Sequence, residues 1–295
     1  MNTLNLTKTD KKLRRVNIVC LIIILLLILV PMVYVLLASF MSPDVLLSKG
    51  ISLKPSDWST EGYKRVFADK SILRGFINSF IYSLSFGVLN VAVTMMAAYP
   101  MSREDLLFKK GIYTFFIITM FFGGGLVPTY LLIKDLGMLD TIWALIIPGC
   151  FSVFNLFLAQ VYIKSLPQEM IEAAKVDGAN DFQIFAKVIL PLSKSIMFVI
   201  FLYSFVGMWN SYFDAMIYIK SPELEPLQLV LRKILVQNQP NMNMIGSQTA
   251  MAELKKIAEL IKYATIVVSS VPLIVMFPFF QKYFEKGISL GSVKG

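Results

Sequence analysis

Between residues 18 and 40 the chain carries an unbroken apolar stretch without one charged side chain, centred on Leu21-Ile22-Ile23-Ile24-Leu25-Leu26-Leu27. About 20 such residues suffice for a helix to cross a bilayer, and no soluble helix hides an apolar surface on every side so easily. A cleaved signal peptide is the rival reading. The run is too long for that, and Pro31-Met32-Val33-Tyr34 carries the apolar character past any small-residue cleavage site. The stretch therefore reads as a retained span.

Five more segments have the same character: 76–99, 112–133, 141–163, 196–219 and 264–280. Of the 295 residues, 56% are hydrophobic and 16% charged. Mean hydropathy is +0.68. A soluble domain lies nearer half apolar and a quarter charged. The expectation is an all-α polytopic membrane protein with six transmembrane helices. A head (1–17) precedes the membrane domain (18–280), and a tail (281–295) follows it. The third span is the least regular, because Gly123-Gly124-Gly125 and Pro128 must break or bend a helix. Broken backbone at membrane depth survives only where protein or water covers it, so this segment is expected to face the bundle interior.

The basic cluster Lys8, Lys11, Lys12, Arg14 and Arg15 lies just before the first span. Such clusters dominate orientation and stay on the cytoplasmic side. Both termini, the 100–111 connection and the 164–195 block are accordingly placed in the cytoplasm of a bacterial cell membrane. The long 220–263 segment is placed outside. The net charge of +9 then reflects flanks facing anionic lipid and gives no reason to invoke nucleic acid.

Absences narrow the chemistry. The chain has no histidine, so no histidine-dependent nucleophile and no histidine-ligated metal is available. Cys20 and Cys150 lie in separate apolar runs and form no CxxC site. No GxxxxGK[ST] phosphate loop occurs. No catalytic residues, metal site or cofactor are expected in this chain.

Residues 165–194 form a polar block with helical signals. Pro167 suits a first helical turn, with Glu169 and Glu172 near its positive end. Gly178 is placed to end that helix, and Asn180 with Gln183 spells a capping box for a second. Pro191 should end or kink the second helix where the chain re-enters the membrane. On these signals alone the block is equally an ordinary amphipathic loop.

A resemblance adds to them. Glu172-Ala173-Ala174, Asp177-Gly178-Ala179, Phe185 and Ile189-Leu190-Pro191-Leu192 resemble the EAA loop of ATP-binding cassette importer permeases. Ser195 stands where many relatives have proline. Trp209-Asn210, and the tail from Pro272 through Gln281-Lys282-Tyr283-Phe284 to Gly291-Ser292-Val293-Lys294-Gly295, are similar to the carbohydrate, maltose-permease-like branch. The long segment before the last span resembles the subgroup that handles large or complex oligosaccharides.

The resemblance implies a non-catalytic permease subunit. Its implied partners are a second homologous permease, two cytoplasmic ATPases that bind ATP and Mg, and an extracytoplasmic solute-binding protein. It implies that Glu172, Ala173, Ala174, Asp177, Gly178, Ala179, Phe185 and Pro191 form a coupling helix pair docked on an ATPase. It also implies that Gly291, Ser292 and Lys294 reach that interface, although most chain ends simply fray.

Polar residues inside spans suggest a solute path. Asp214 lies in the fifth span with Asn210, Tyr212, Trp209 and Tyr203 nearby, and Asn155 lies in the fourth. An intramembrane carboxylate is costly unless it faces a cavity, and aromatic rings with hydrogen-bonding groups suit a saccharide. Aromatics also mark interfacial belts, and Asn155 and Gln160 serve equally as interhelical glue. Residues 251–263 show an amphipathic helical pattern suited to the external face. A permease for a non-sugar solute and an ion-coupled carrier stay open as alternatives. The second does not need a Glu-Ala-Ala block and normally carries several intramembrane carboxylates.

Overall fold

The computed structural model describes residues 8–237 and 261–278. Their regular structure is helical, with one isolated β-bridge between Met41 and Trp58. The helices are α1 (Lys8–Ala38), α2 (Pro43–Lys49), α3 (Glu61–Ala68), α4 (Lys70–Ser102), α5 (Lys109–Phe121), α6 (Leu126–Asp135) and α7 (Trp143–Ile146). They continue as α8 (Val153–Lys164), α9 (Gln168–Val176), α10 (Asp181–Leu192), α11 (Lys194–Trp209), α12 (Phe213–Tyr218), α13 (Leu227–Gln237) and α14 (Ile261–Pro278). The chain divides into two compact units, Met1–Asp69 with Ile234–Ser270, and Lys70–Lys233 with Val271–Gly295.

In the first unit, α1 leads into a small aromatic knot. Phe40 lies 5.1 Å from Tyr63, whose hydroxyl bonds Ser39 Oγ at 2.7 Å, while Met41 and Val66 are fully buried. The apolar side chains of α1 are exposed from Leu13 to Tyr34, as expected of a helix whose solvent is lipid.

The second unit is built on α4. Helix α11 lies along it, and Gly87 makes that approach possible. A Cβ at position 87 would sit 2.8 Å from the Phe201 ring. Helix α8 packs on another side of α4. Met95, Ala98, Leu156, Ala159, Ile163, Ile184, Ile189 and Ile200 form one buried cluster there. A second cluster gathers Tyr82, Ile133, Ala144, Leu145, Ala215, Tyr218 and Leu229.

Three described helical stretches are long and apolar enough to span a bilayer: Lys11–Ala38, Lys70–Ser102 and Ile261–Pro278. Two bent pairs raise the number to five if each is one span. Helices α5 and α6 meet at 108° across the glycine run, which is the break the sequence led us to expect. Helices α10 and α11 meet at 77° just after Pro191. A proline has no N–H for the carbonyl four residues earlier, and α10 widens into a π turn over Phe185–Ile189 before ending.

Two expected spans are interrupted. The fourth splits into α7 and α8 around Pro148-Gly149, and Ser152 restarts the helix by accepting the Asn155 N–H at 3.3 Å. The fifth breaks at 210–212 without a proline. Asn210 turns its side-chain amide back onto the Val206 carbonyl at 2.9 Å, and the Ser211 N–H bonds Met208. A side chain that competes in this way for backbone partners ends a helix readily. Asn210 and Asp214 therefore do not lie on one continuous helical face, contrary to their four-residue spacing.

Candidate functional site

The breaks in α7–α8 and α11–α12 bring irregular backbone and polar side chains to one place. Around them lies a cavity of about 460 Å³. Its lining comes from α4 (Phe86, Asn90), α6 (Thr129), α7 (Ala144, Leu145), the α7–α8 connection (Pro148, Gly149, Ser152), α8 (Asn155), α11 (Tyr203, Ser204, Gly207, Met208), the turn after it (Ser211) and α12 (Asp214, Tyr218). Sites for small molecules fall in the range of about 300–1,000 Å³.

Of the side chains expected on a solute path, Asn155, Tyr203 and Asp214 line this cavity. Tyr203 is half exposed, and the Asp214 carboxylate has no hydrogen-bonding or charged partner among the described residues. The other three stand elsewhere. Trp209 is fully buried, edge-on to Phe76 at 5.4 Å and stacked on Phe205 at 6.0 Å. Tyr212 is exposed beneath the Arg232 guanidinium, 5.5 Å from its ring centre. Asn210 is exposed and occupied by its own helix end.

Sequence reasoning passed over Asn90, Ser152 and Ser204. Asn90 carried the signal it missed: a polar amide inside an expected span. The Asn155 amide donates to Asn90 Oδ1 at 3.0 Å, so this pair lines the cavity and ties α8 to α4. Ser204 Oγ is buried and has no hydrogen-bond partner among the described residues. Gln160 lies away from the cavity and donates to the Met101 carbonyl at 3.1 Å and to Tyr113, in an interhelical role.

Away from the cavity lining, Asp140 ties two connections together. Its carboxylate accepts from the Lys220 and Ser221 backbone N–H groups, both at 2.8 Å, and from Ser221 Oγ at 2.6 Å. These bonds, led by the Ser221 hydroxyl, hold its carboxyl below the usual range.

The 164–195 block forms a helix, a glycine turn and a second helix. Pro167 is the residue just before α9 rather than its first. Gly178 has φ +80°, the left-handed region in which a side chain is strained. The Asn180–Gln183 capping box forms with both bonds at 2.9 Å. The residues sort by direction. Ala174, Ala179 and Phe185 pack inward, with Phe185 5.6 Å from Tyr99. Glu172, Ala173, Asp177, Gly178 and Pro191 are exposed, as are the apolar side chains of Val176 and Phe182.

Arg103, in the connection after α4, bonds Asp105 at 2.5 Å and also reaches Asp181 at the start of α10. Its hydrogen bond holds the Asp105 carboxyl down at about 2. Gly291, Ser292, Lys294 and residues 251–260 lie outside the described residues.

Residues 5–290 match the family described as binding-protein-dependent transport system inner membrane component. The polygalacturonan/rhamnogalacturonan transport system permease protein of Bacillus subtilis (strain 168) is 35% identical over 273 residues, covering 92% of this chain and 94% of that protein. The melibiose/raffinose/stachyose import permease protein of the same organism is 28% identical over 246 residues, covering 82% and 83%. Among solved structures, a bacterial ABC transporter involved in the import of the acidic polysaccharide alginate is 32% identical. It matches with a TM-score of 0.84 over 96% of this chain and 100% of that one.

Proposed function

The chain belongs to the family of binding-protein-dependent transport system inner membrane components, and from that premise we propose that it forms one half of the membrane path of an ATP-binding cassette importer for saccharides. The observation that carries this reading is the cavity. Hydroxyl and amide groups of Asn155, Ser204 and Ser211 gather beside the Tyr203 ring, inside segments that are otherwise apolar. A sugar offers hydroxyls to the first set and a C–H face to the second. Polar groups at that depth are costly unless something wet uses them.

In the assembled importer this chain crosses the membrane six times with both termini in the cytoplasm. A second, homologous permease completes the path. Helices α9 and α10 dock on one of two ATPase subunits, with Glu172, Ala173 and Asp177 outward and Ala174, Ala179 and Phe185 anchoring the pair to the membrane domain. The tail residues Gly291, Ser292 and Lys294 extend that interface. Hydrolysis of ATP with Mg takes place in the partner subunits, and a solute-binding protein delivers the sugar from outside. The permease does no covalent chemistry. It supplies a two-state element whose equilibrium is shifted by nucleotide on one side and loaded binding protein on the other.

The test is uptake of a labelled panel of oligosaccharides by cells with and without this chain. Loss of uptake of at least one saccharide on deletion, restored by the intact chain, is the expected result. An unchanged saccharide panel, with loss of a peptide or ion flux instead, contradicts the reading.

A further inference from the structure

The cavity has an uneven charge inventory. Among the described residues its lining carries one carboxylate, Asp214, and no lysine or arginine. Lys220, the basic residue nearest Asp214 in sequence, is exposed and outside the lining, and three other basic side chains of this unit have partners elsewhere. Lys233 pairs with Glu225, Arg74 lies 3.8 Å from Glu223, and Arg232 lies over the Tyr212 ring. Asp214 is exposed into the space and has neither a charged nor a hydrogen-bonding partner among the described residues.

A second, independent feature points into the same space. Ser204 Oγ is buried, lines the cavity and has no partner among the described residues, although buried hydroxyls are almost always satisfied. Asn155 has one amide hydrogen committed to Asn90 and keeps further capacity. The site thus presents donors and acceptors for hydroxyl groups, an aromatic face on Tyr203, and one fixed negative charge.

Resting on the saccharide reading above, we propose that this cavity selects uncharged, hydroxyl-rich sugars and rejects uronates. A uronate carboxylate held beside Asp214 meets a like charge in a partly desolvated space, with no lysine or arginine in the lining among the described residues to compensate. Coulomb repulsion at side-chain distance there suppresses occupancy on the order of tenfold or more. A neutral hexose or pentose unit brings hydroxyls that donate to Asp214 and satisfy Ser204. Specificity of this kind combines a penalty on the wrong cargo with hydrogen bonds to the right one.

The experiment uses the assembled permease–ATPase complex without its binding protein, so that the cavity alone chooses. The chain carries Ser211→Cys as the only thiol, with Cys20→Ser and Cys150→Ser. A water-soluble thiol reagent labels position 211, and protection is titrated with maltotriose, raffinose, arabinotriose and trigalacturonate. At least one neutral trisaccharide should protect at a concentration roughly tenfold or more below that needed for trigalacturonate. Adding Asp214→Asn should narrow that gap to about threefold or less.

Protection by trigalacturonate at a lower concentration than every neutral sugar overturns the proposal and leaves the saccharide reading standing. So does an unchanged ratio after Asp214→Asn. Absence of protection by either class, with position 211 freely labelled, overturns the saccharide reading itself and this inference with it.

Discussion

The side-chain amide of Asn155 donates to the side-chain oxygen of Asn90 across 3.0 Å, a buried bond that joins α8 to α4 at the wall of the cavity. The same oxygen also lies 3.4 Å from Thr94 Oγ1, so Asn90 is the hub of a small polar cluster. Asn155→Leu should leave that hub short of its better donor. The expected cost is about 1–3 kcal/mol, seen as a lower thermal midpoint of the purified complex. In a double-mutant cycle, Asn90→Ala with Asn155→Ala should cost less than the sum of the two single changes, because both remove one bond.

Close packing of α4 on α11 rests on Gly87. Gly87→Ala places a methyl group 2.8 Å from the Phe201 ring, inside contact distance. Overpacking of this kind costs about 1–3 kcal/mol. Phe201→Leu should restore much of the loss in the Gly87→Ala background while destabilising the chain with native Gly87. Thermal unfolding of the four variants checks this.

The turn between α9 and α10 depends on Gly178 at φ +80°. Gly178→Val should cost about 1–2 kcal/mol locally, since a β-branched side chain resists that conformation. Gly178→Asn should be milder. Recovery of the ATPase in a pull-down should fall with Val and stay near normal with Asn, at equal amounts of permease in the membrane. Equal recovery from both variants contradicts a docking role for this turn.

Arg103 clasps the connection after α4 to α10 through Asp105 and Asp181. The Asp105 carboxyl is lowered from 3.8 to about 2, chiefly by the Arg103 hydrogen bond. A depressed acid stabilises the fold above its ordinary value and loses that contribution as pH falls through the lowered one. The clasp should therefore hold above 3.8 and loosen between that pH and about 2. Hydrogen exchange of residues 103–109, corrected for intrinsic rates, should accelerate across that window. In Asp105→Asn it should already be fast at neutral pH.

The bend at Gly123–Pro128 and the capping box at Asn180 were legible in the sequence, because glycine runs, prolines and short polar side chains act on their own backbone. The break before α8 had the same kind of signal in Pro148-Gly149, but the surrounding apolar residues masked it. The break at Asn210 had no such signal, since any asparagine in a span can face a neighbour and leave its helix intact. Which face of a nearly uniform apolar helix points inward is also unreadable from periodicity. Trp209 was expected on the sugar path and is packed between Phe76 and Phe205, while Ser204, which no sequence signal singled out, presents to the cavity a hydroxyl without a partner among the described residues.

The central claim is that sugar passes through the cavity walled by Tyr203, Asn155 and Asp214. The most direct measurement is saccharide uptake by the assembled importer carrying Tyr203→Cys with Cys20→Ser and Cys150→Ser, before and after complete reaction with a bulky water-soluble maleimide. Filling the cavity should lower uptake about tenfold or more, a loss of at least about 1.4 kcal/mol in the transport step. Association with the ATPase should stay unchanged. Undiminished uptake with position 203 fully modified contradicts the account.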